Sequence, residues 1–329
     1  MINKKMKDET VKEQLSAGAK DKLYHFLLHR GAIRGGIVHS TRMINQMRAN
    51  HEIGILETVA LGHALMGGAL IASDLKGNDR IRLEIECSGP IKGLVVEANA
   101  FGDVRGFLKQ IPIPVEKPLD SFDLSSFFGA GFLSITRFLE DDKAPFTGNV
   151  MLQYGNIAQD LAHYFLHSEQ VPASFNLSIQ FDSGGNVTGA GGLFLQTMPG
   201  AGETTVAEIE ALIRQLPSLG AVFSDGTDPV QFIRDVFKAH APEFLASRRI
   251  EFLCPCGQDF FRAILAHMPA DELADMISTD PFPLELRCQY CNTPYYFSKN
   301  DLQHIYERRH HMSEGYVDKS LMTGTPDDI

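Results

Sequence analysis

The chain has 329 residues, 44% of them hydrophobic and 22% charged, with a formal net charge of −11 and five cysteines. Such a composition belongs to a globular protein of roughly two domains. The negative balance argues against nucleic acid or an anionic membrane as the main partner, since both require a basic face. The longest apolar run, Val59 to Ala72, has 14 residues interrupted by His63, against the roughly 20 that a membrane span needs. The polar start "MINKKMKDETVKEQLSAGAK" shows no secretory signal, so a cytoplasmic location is expected. In that reducing compartment, paired cysteines mean metal or redox chemistry more often than permanent disulfides.

In chain order, residues 1–20 read as a mobile tail and "KDKLYHFLLHR" as a helix. A second helix is expected in "ETVALGHALMGGALIASDL", whose apolar face is broad enough to be buried. The period then changes. Ile81, Leu83, Ile85 and Cys87 alternate with Arg82, Glu84 and Glu86, the mark of a half-buried strand. "SGP" turns the chain toward a partner strand in "KGLVVEANA". A second hairpin joins "GFLSITRFLE" to "FTGNVMLQYG", a helix follows in "NIAQDLAHYFLHSEQ", and a third strand pair joins "SFNLSIQFD" to "GGLFLQTMP" across "SGGN". Helices interleaved with antiparallel hairpins make residues 21–202 an α+β domain of antiparallel sheet plus helices.

Beyond Met198 and Pro199 the texture shifts. "GAGE" reads as a break, and a capping box from Thr205 to Glu208 opens a helix with Val206, Ile209, Leu212, Ile213 and Leu216 on one side. Asp228 and Pro229 start another, carrying Val230, Ile233 and Phe237. Helices of roughly a dozen residues are marginal alone. The helical linker, 203–249, should therefore be stable only with its apolar stripes docked on the N-terminal domain. A small C-terminal segment, 250–309, follows, with helices in "QDFFRAILAHM" and "PADELADMI", strand-like "LELRC" and "PYYFS", and a last helix that Ser298 can cap. Residues 310–329 read as a disordered tail.

Four of the five cysteines fall in this segment, as "LCPCGQ" and "RCQYCN". Pro255 disfavours the helical region for Cys254 and pushes it extended. Residues i and i+2 then share a side, so Cys254 and Cys256 can approach one cation. Cys288 and Cys291 have the C-x₂-C knuckle spacing. Four thiolates suit tetrahedral Zn²⁺ with every position filled, a closed site rather than a catalytic one. Oxidation is the other possibility. Four cysteines admit three pairings; the two local ones need the least rearrangement, and they would leave the two knuckles unconnected. A Cys254–Cys256 bridge would be strained, and strained bridges are the labile, regulatory ones.

C-x-C, some thirty residues, then C-x₂-C resembles the bacterial redox-regulated thirty-three-kilodalton heat-shock chaperone family, an ATP-independent holdase. "HYFLHSEQVP", "GDVRGF" and "GGLFLQTMP" are also similar to that family, and the likeness spans about residues 20–309. The resemblance implies one Zn²⁺ on Cys254, Cys256, Cys288 and Cys291 in a reduced, weakly active state. It further implies that oxidative stress, often with heat, joins Cys254 to Cys256 and Cys288 to Cys291 and releases the metal. The zinc segment and linker would then unfold, and the protein would bind unfolding clients as a homodimer. The linker composition and the C-terminal tail depart from the family pattern, which bears on the activation threshold.

Other candidates have plainer readings. Cys87 is expected to be a small buried hydrophobe on the inward face of its strand. His163 and His167 are four apart on a helix but lack the glutamate of H-E-x-x-H, and read as a packed or solvent-facing pair. "GDVRGF" lacks the lysine of a phosphate loop and reads as structural turns, and nothing in the sequence assembles an enzyme active site. A constitutive zinc-ribbon adaptor for a protein or nucleic acid is the rival reading, with the charge of −11 against nucleic acid.

Overall fold

A computed structural model describes residues 1, 4, 21–115, 123–279 and 281–314. The expected N-terminal and C-terminal tails therefore lie almost wholly outside the described residues. The chain divides into two compact units, a larger one of residues 2–254 with 289–291, and a smaller one of Met1, 255–288 and 292 onward.

The larger unit holds two sheets. One has the order β10-β1-β2-β9-β8, with β1 Lys22–Leu28, β2 Ile33–His39, β8 Ala173–Phe181, β9 Val187–Thr197 and β10 Glu243–Arg249. The other runs β11-β5-β4-β3-β6-β7, with β3 Arg80–Cys87, β4 Gly93–Asn99, β5 Asp103–Leu108, β6 Gly131–Phe138, β7 Phe146–Met151 and β11 Glu251–Phe252. All pairings are antiparallel except the short one of β11 with β5. Helix α1, Thr41–His51, precedes α2, Ile55–Ile71, which packs against β4 and β5 of one sheet and β8 and β9 of the other. With its 3-10 extension, Ile55–Asp74 is long and apolar enough to cross a bilayer, but 89% of its apolar window is buried in the fold. It is the central core helix. The α+β class expected from the sequence is the class observed, as are the three hairpins β3–β4, β6–β7 and β8–β9.

The first element differs from expectation. "KDKLYHFLLHR" contains β1, not a helix. The reason is burial on both faces. Phe26 and Leu28 lie in the apolar cluster formed with the linker helices, with Tyr24 packed against it. On the opposite face, a β-carbon on Gly36 would meet Leu70 and Leu23, so Leu23 looks toward α2. A strand covered on both sides reads as an apolar run, which periodicity cannot tell from a helix. Cys87, at the end of β3, is half-buried rather than inside. "GDVRGF" supplies most of β5 rather than a set of turns.

The linker forms three helices: α5 Glu203–Arg214, α6 Leu219–Ser224 and α7 Pro229–Val236, the short helix Ser125–Phe128 and α4 Ile157–His167 being α3 and α4 in chain order. The capping box at Thr205 does not form. Ala201 N–H closes a turn on Met198 O, and the helix starts at once behind Gly202, leaving Thr205 inside the first turn. Asp228 caps α7 as expected, its carboxylate accepting from Val230 and Gln231 N–H. Ile209, Leu219, Phe223, Phe232, Ile233 and Phe237 of this segment pack on Phe26, Leu28, Ile33, Ile37, Leu193 and Leu195 of β1, β2 and β9. Glycines permit the close approach. A β-carbon on Gly189 would sit 2.0 Å from Gly220 O, and one on Gly191 2.2 Å from the Phe223 ring.

The smaller unit has α8 Gln258–His267, α9 Ala270–Thr279, the hairpin β12 Leu284–Arg287 with β13 Pro294–Phe297, and α10 Lys299–Glu314. Ser298 caps α10 reciprocally: Asp301 N–H donates to Ser298 Oγ, and Ser298 N–H donates to Asp301 Oδ2. Phe261, Leu265, Leu273, Phe297, Leu302 and Ile305 are its principal buried aliphatic and phenyl side chains. That is a small core for a free-standing segment.

Candidate metal centre

Each knuckle is built by its local sequence. Cys254, Pro255 and Cys256 form an irregular stretch between β11 and α8. Leu253 N–H donates to Val104 O at 3.0 Å, which ties the approach to Cys254 onto β5. Cys288 and Cys291 occupy the turn of the β12–β13 hairpin. There Asn292 N–H donates to Cys288 O at 2.7 Å, and Cys288 N–H to Thr293 O at 3.0 Å. The turn closes because Asn292 takes a left-handed conformation, φ 53°, one of the few side chains that tolerates it.

All four thiols are buried, and their sulfurs lie within 4.8 Å of one another. Ligands at about 2.3 Å from a tetrahedral cation are about 3.8 Å apart by simple geometry, so the donor set fits a soft tetrahedral ion. With four sulfurs, no position is left for water or substrate. The arrangement can hold a cation, and it can form disulfides; it cannot act as an open Lewis acid.

The surroundings of the sulfurs were not legible beforehand. Arg105, on β5, donates to Cys254 Sγ at 3.3 Å and to Glu97 Oε2 at 2.6 and 3.0 Å. Its guanidinium carbon lies 4.1 Å from the centroid of the Tyr290 ring, and Tyr290 Oη donates to Glu97 Oε1 at 2.7 Å. Burial opposes the Arg105 charge, but the bonds to Cys254 and Glu97 outweigh it and hold its pKa above the ordinary value. Burial, then the Glu97 bond, raises that of Tyr290. Asn50 Nδ2 donates to Cys291 O at 3.1 Å, and the His51 ring lies 3.3 Å from Tyr290 O, its pKa pushed down by burial to about 4. At Cys256, Tyr295 Oη stands 3.2 Å from the sulfur and donates to the Cys256 carbonyl at 3.0 Å.

Two signals for these partners existed. Tyr290 sits inside C-x₂-C, and Arg105 is the one cation in "GDVRGF". The remaining sequence candidates stand apart from the cluster. His163 and His167 lie side by side on α4, ring centroids 4.2 Å apart, with His167 exposed. Burial raises the Cys87 thiol pKa.

Fold and site together define an α+β protein with a closed tetrathiol centre in its C-terminal region, a structural or regulatory site rather than a catalytic one. Residues 21–298 match the family model described as Hsp33 protein. The chain is 34% identical to a 33 kDa chaperonin of Desulforamulus reducens over 88% of this chain and 98% of that one, and 31% identical to one of a Geobacter species over 87% and 96%. The crystal structure of the 33 kDa chaperonin, heat shock protein 33 homolog, of Thermotoga maritima is also similar. It superposes with a TM-score of 0.81 at 31% identity, covering 89% of this chain and all of that one. The chain belongs to the Hsp33 family of chaperones.

Proposed function

We propose that this protein is a redox-regulated, ATP-independent holdase of the cytoplasm, without enzymatic activity, that binds unfolding proteins under oxidative and heat stress. Its working parts are the core, 21–202, the linker, 203–249, and a sensing segment, 250–309. In the reduced state Cys254, Cys256, Cys288 and Cys291 hold one Zn²⁺. The bound ion supplies a cross-link closing the 31 residues between Cys256 and Cys288.

The observation that carries this reading is the burial of four sulfurs within 4.8 Å of one another in a chain of a chaperone family. Oxidation of Cys254 with Cys256, and of Cys288 with Cys291, withdraws every donor. Each pair of thiolates gives two electrons to one peroxide molecule, which takes up two protons from solvent and leaves as two waters, and Zn²⁺ is released to solution. What remains is two tiny rings, with the intervening loop no longer closed. Structural zinc sites contribute ~10–16 kcal/mol of apparent folding free energy, with the closure of such a loop already included, more than a small core replaces. The apolar stripes of α5 to α7 then come free of the sheet. Clients are met by apolar surface rather than by motif, which makes selectivity broad, and the oxidised form is a homodimer.

The test follows three signals during peroxide treatment at elevated temperature: metal release, disulfide mapping and suppression of client aggregation. Activity should rise as metal leaves, with local pairs, and fall on reduction. Cross-links between the knuckles, or no stoichiometric zinc in the reduced protein, would defeat the scheme.

A further inference from the structure

The apolar face under the linker is one surface that oxidation would uncover; the edge of β1 is another. Strand β10 covers that edge, pairing Lys22 to Arg249 through Leu27 to Glu243. Its side chains contribute little: Glu243, Leu245, Ala246, Ser247 and Arg249 are exposed, Phe244 and Arg248 half-buried, and none is buried. The pairing is interrupted, since His25 faces Ala246 but Phe26 faces Phe244, leaving Leu245 as an extra residue, 58% exposed. A bulge leaves one residue unpaired and locally breaks the ladder. The principal side-chain anchors are the Phe244 ring, 5.8 Å from Phe26 with Arg234 above it, and Arg248, which reaches Ala72 O and Leu75 O.

Its position in the chain makes β10 removable. It follows the linker helices directly, and only β11, with its two paired residues, separates it from Cys254. The strand beneath is of the opposite kind: Leu23, Phe26 and Leu28 of β1 are fully buried.

We infer that β10 is a displaceable strand acting as an internal stand-in for client, and that the β1 edge it covers pairs with an extended segment of unfolded polypeptide once oxidation frees the linker. The contact β10 makes defines that partner. It is a run of some seven residues in extended conformation, held by backbone hydrogen bonds, with one apolar or aromatic side chain in the place of Phe244. Strand addition reads backbone and tolerates almost any sequence, as a binder of disordered chains requires. This site rests on the holdase reading and adds to it a mode of recognition that apolar contact alone does not supply.

Hydrogen exchange with mass spectrometry on the full chain tests it in three states: reduced, peroxide-treated, and peroxide-treated with reduced carboxymethylated α-lactalbumin, a permanently unfolded probe. After peroxide, residues 243–249 and 22–28 should both exchange at least tenfold faster. The probe should restore protection to 22–28 and leave 243–249 open. Protection of 243–249 in an oxidised form that suppresses aggregation overturns the site and leaves the holdase reading standing. So does failure of the probe to protect 22–28, or recovery of 22–28 without probe, as pairing with a second copy would give. Oxidised protein that suppresses no aggregation brings down both readings. Phe244→Ala, which removes the ring that seats β10, should raise probe binding by reduced protein several-fold; unchanged binding counts against the stand-in role.

Discussion

Arg105 reaches Cys254, Glu97 and the face of Tyr290 with a single guanidinium. It thereby touches one residue from each cysteine pair's neighbourhood. A planar five-donor fork can meet all three partners at once, whereas an ammonium presents a point charge with no plane to stack. The bond to sulfur also draws electron density from it, which blunts attack on an oxidant. Arg105→Lys should therefore weaken zinc retention by about 10–100-fold, the usual cost of losing an outer partner of a metal ligand, and speed thiol loss in peroxide. Tyr290→Phe keeps the ring and loses only the bond to Glu97, so its effect should be smaller. Release of zinc to a chelating dye, timed by absorbance, measures both. Equal rates in the two variants and the parent would show that the clasp has no part in holding the metal centre.

Among the elements, α6 is the one whose docking depends most on what the sheet lacks. Gly189 and Gly191 on β9 leave room for the Gly220 carbonyl and the Phe223 ring, and Gly220 N–H donates to Ser178 Oγ at 2.8 Å. A β-carbon at Gly191 must displace the Phe223 ring, so Gly191→Ala should loosen α6 by about 1–3 kcal/mol, the range for overpacking. The reduced variant should then show faster exchange over 219–237 and client binding before any oxidant is added. Normal exchange there would mean that the linker is held elsewhere. This element also shows how far the sequence could be read. The alternations of β3 and of β8 were plain because each has one polar face, and Asp228–Pro229 announced α7 by its cap. β1 reads as a helix from its sequence because both its faces are covered, one of them by a linker some 180 residues later in sequence. The cysteine spacing announced the centre, since ligand geometry is local. Arg105, Glu97 and Asn50 could not be found that way, because strand pairing and helix placement bring them to the thiols from distant parts of the chain.

At the scale of the molecule, the two units draw their stability from different sources. The larger has a core running from Phe26 to Phe252 through both sheets, with α2 buried along its length. In the smaller, the helices and one hairpin bury few large side chains, and a core of that size is marginal, so a metal cross-link can decide whether it stays folded. Removing the metal should therefore melt one unit and spare the other. A strong chelator in the presence of reductant withdraws zinc without forming any disulfide, which separates the loss of the cross-link from the oxidation that causes it in the proposed scheme. Exchange should become fast over 255–279 and 294–308, while β3, β4 and β6 keep their protection, and calorimetry should show the remaining core melting as a separate, hotter transition. Restoring zinc should restore the first transition. A single transition, with both units lost together, would mean that the metal cross-link is not what holds the smaller unit folded, and that sulfur chemistry alone does not decide its state.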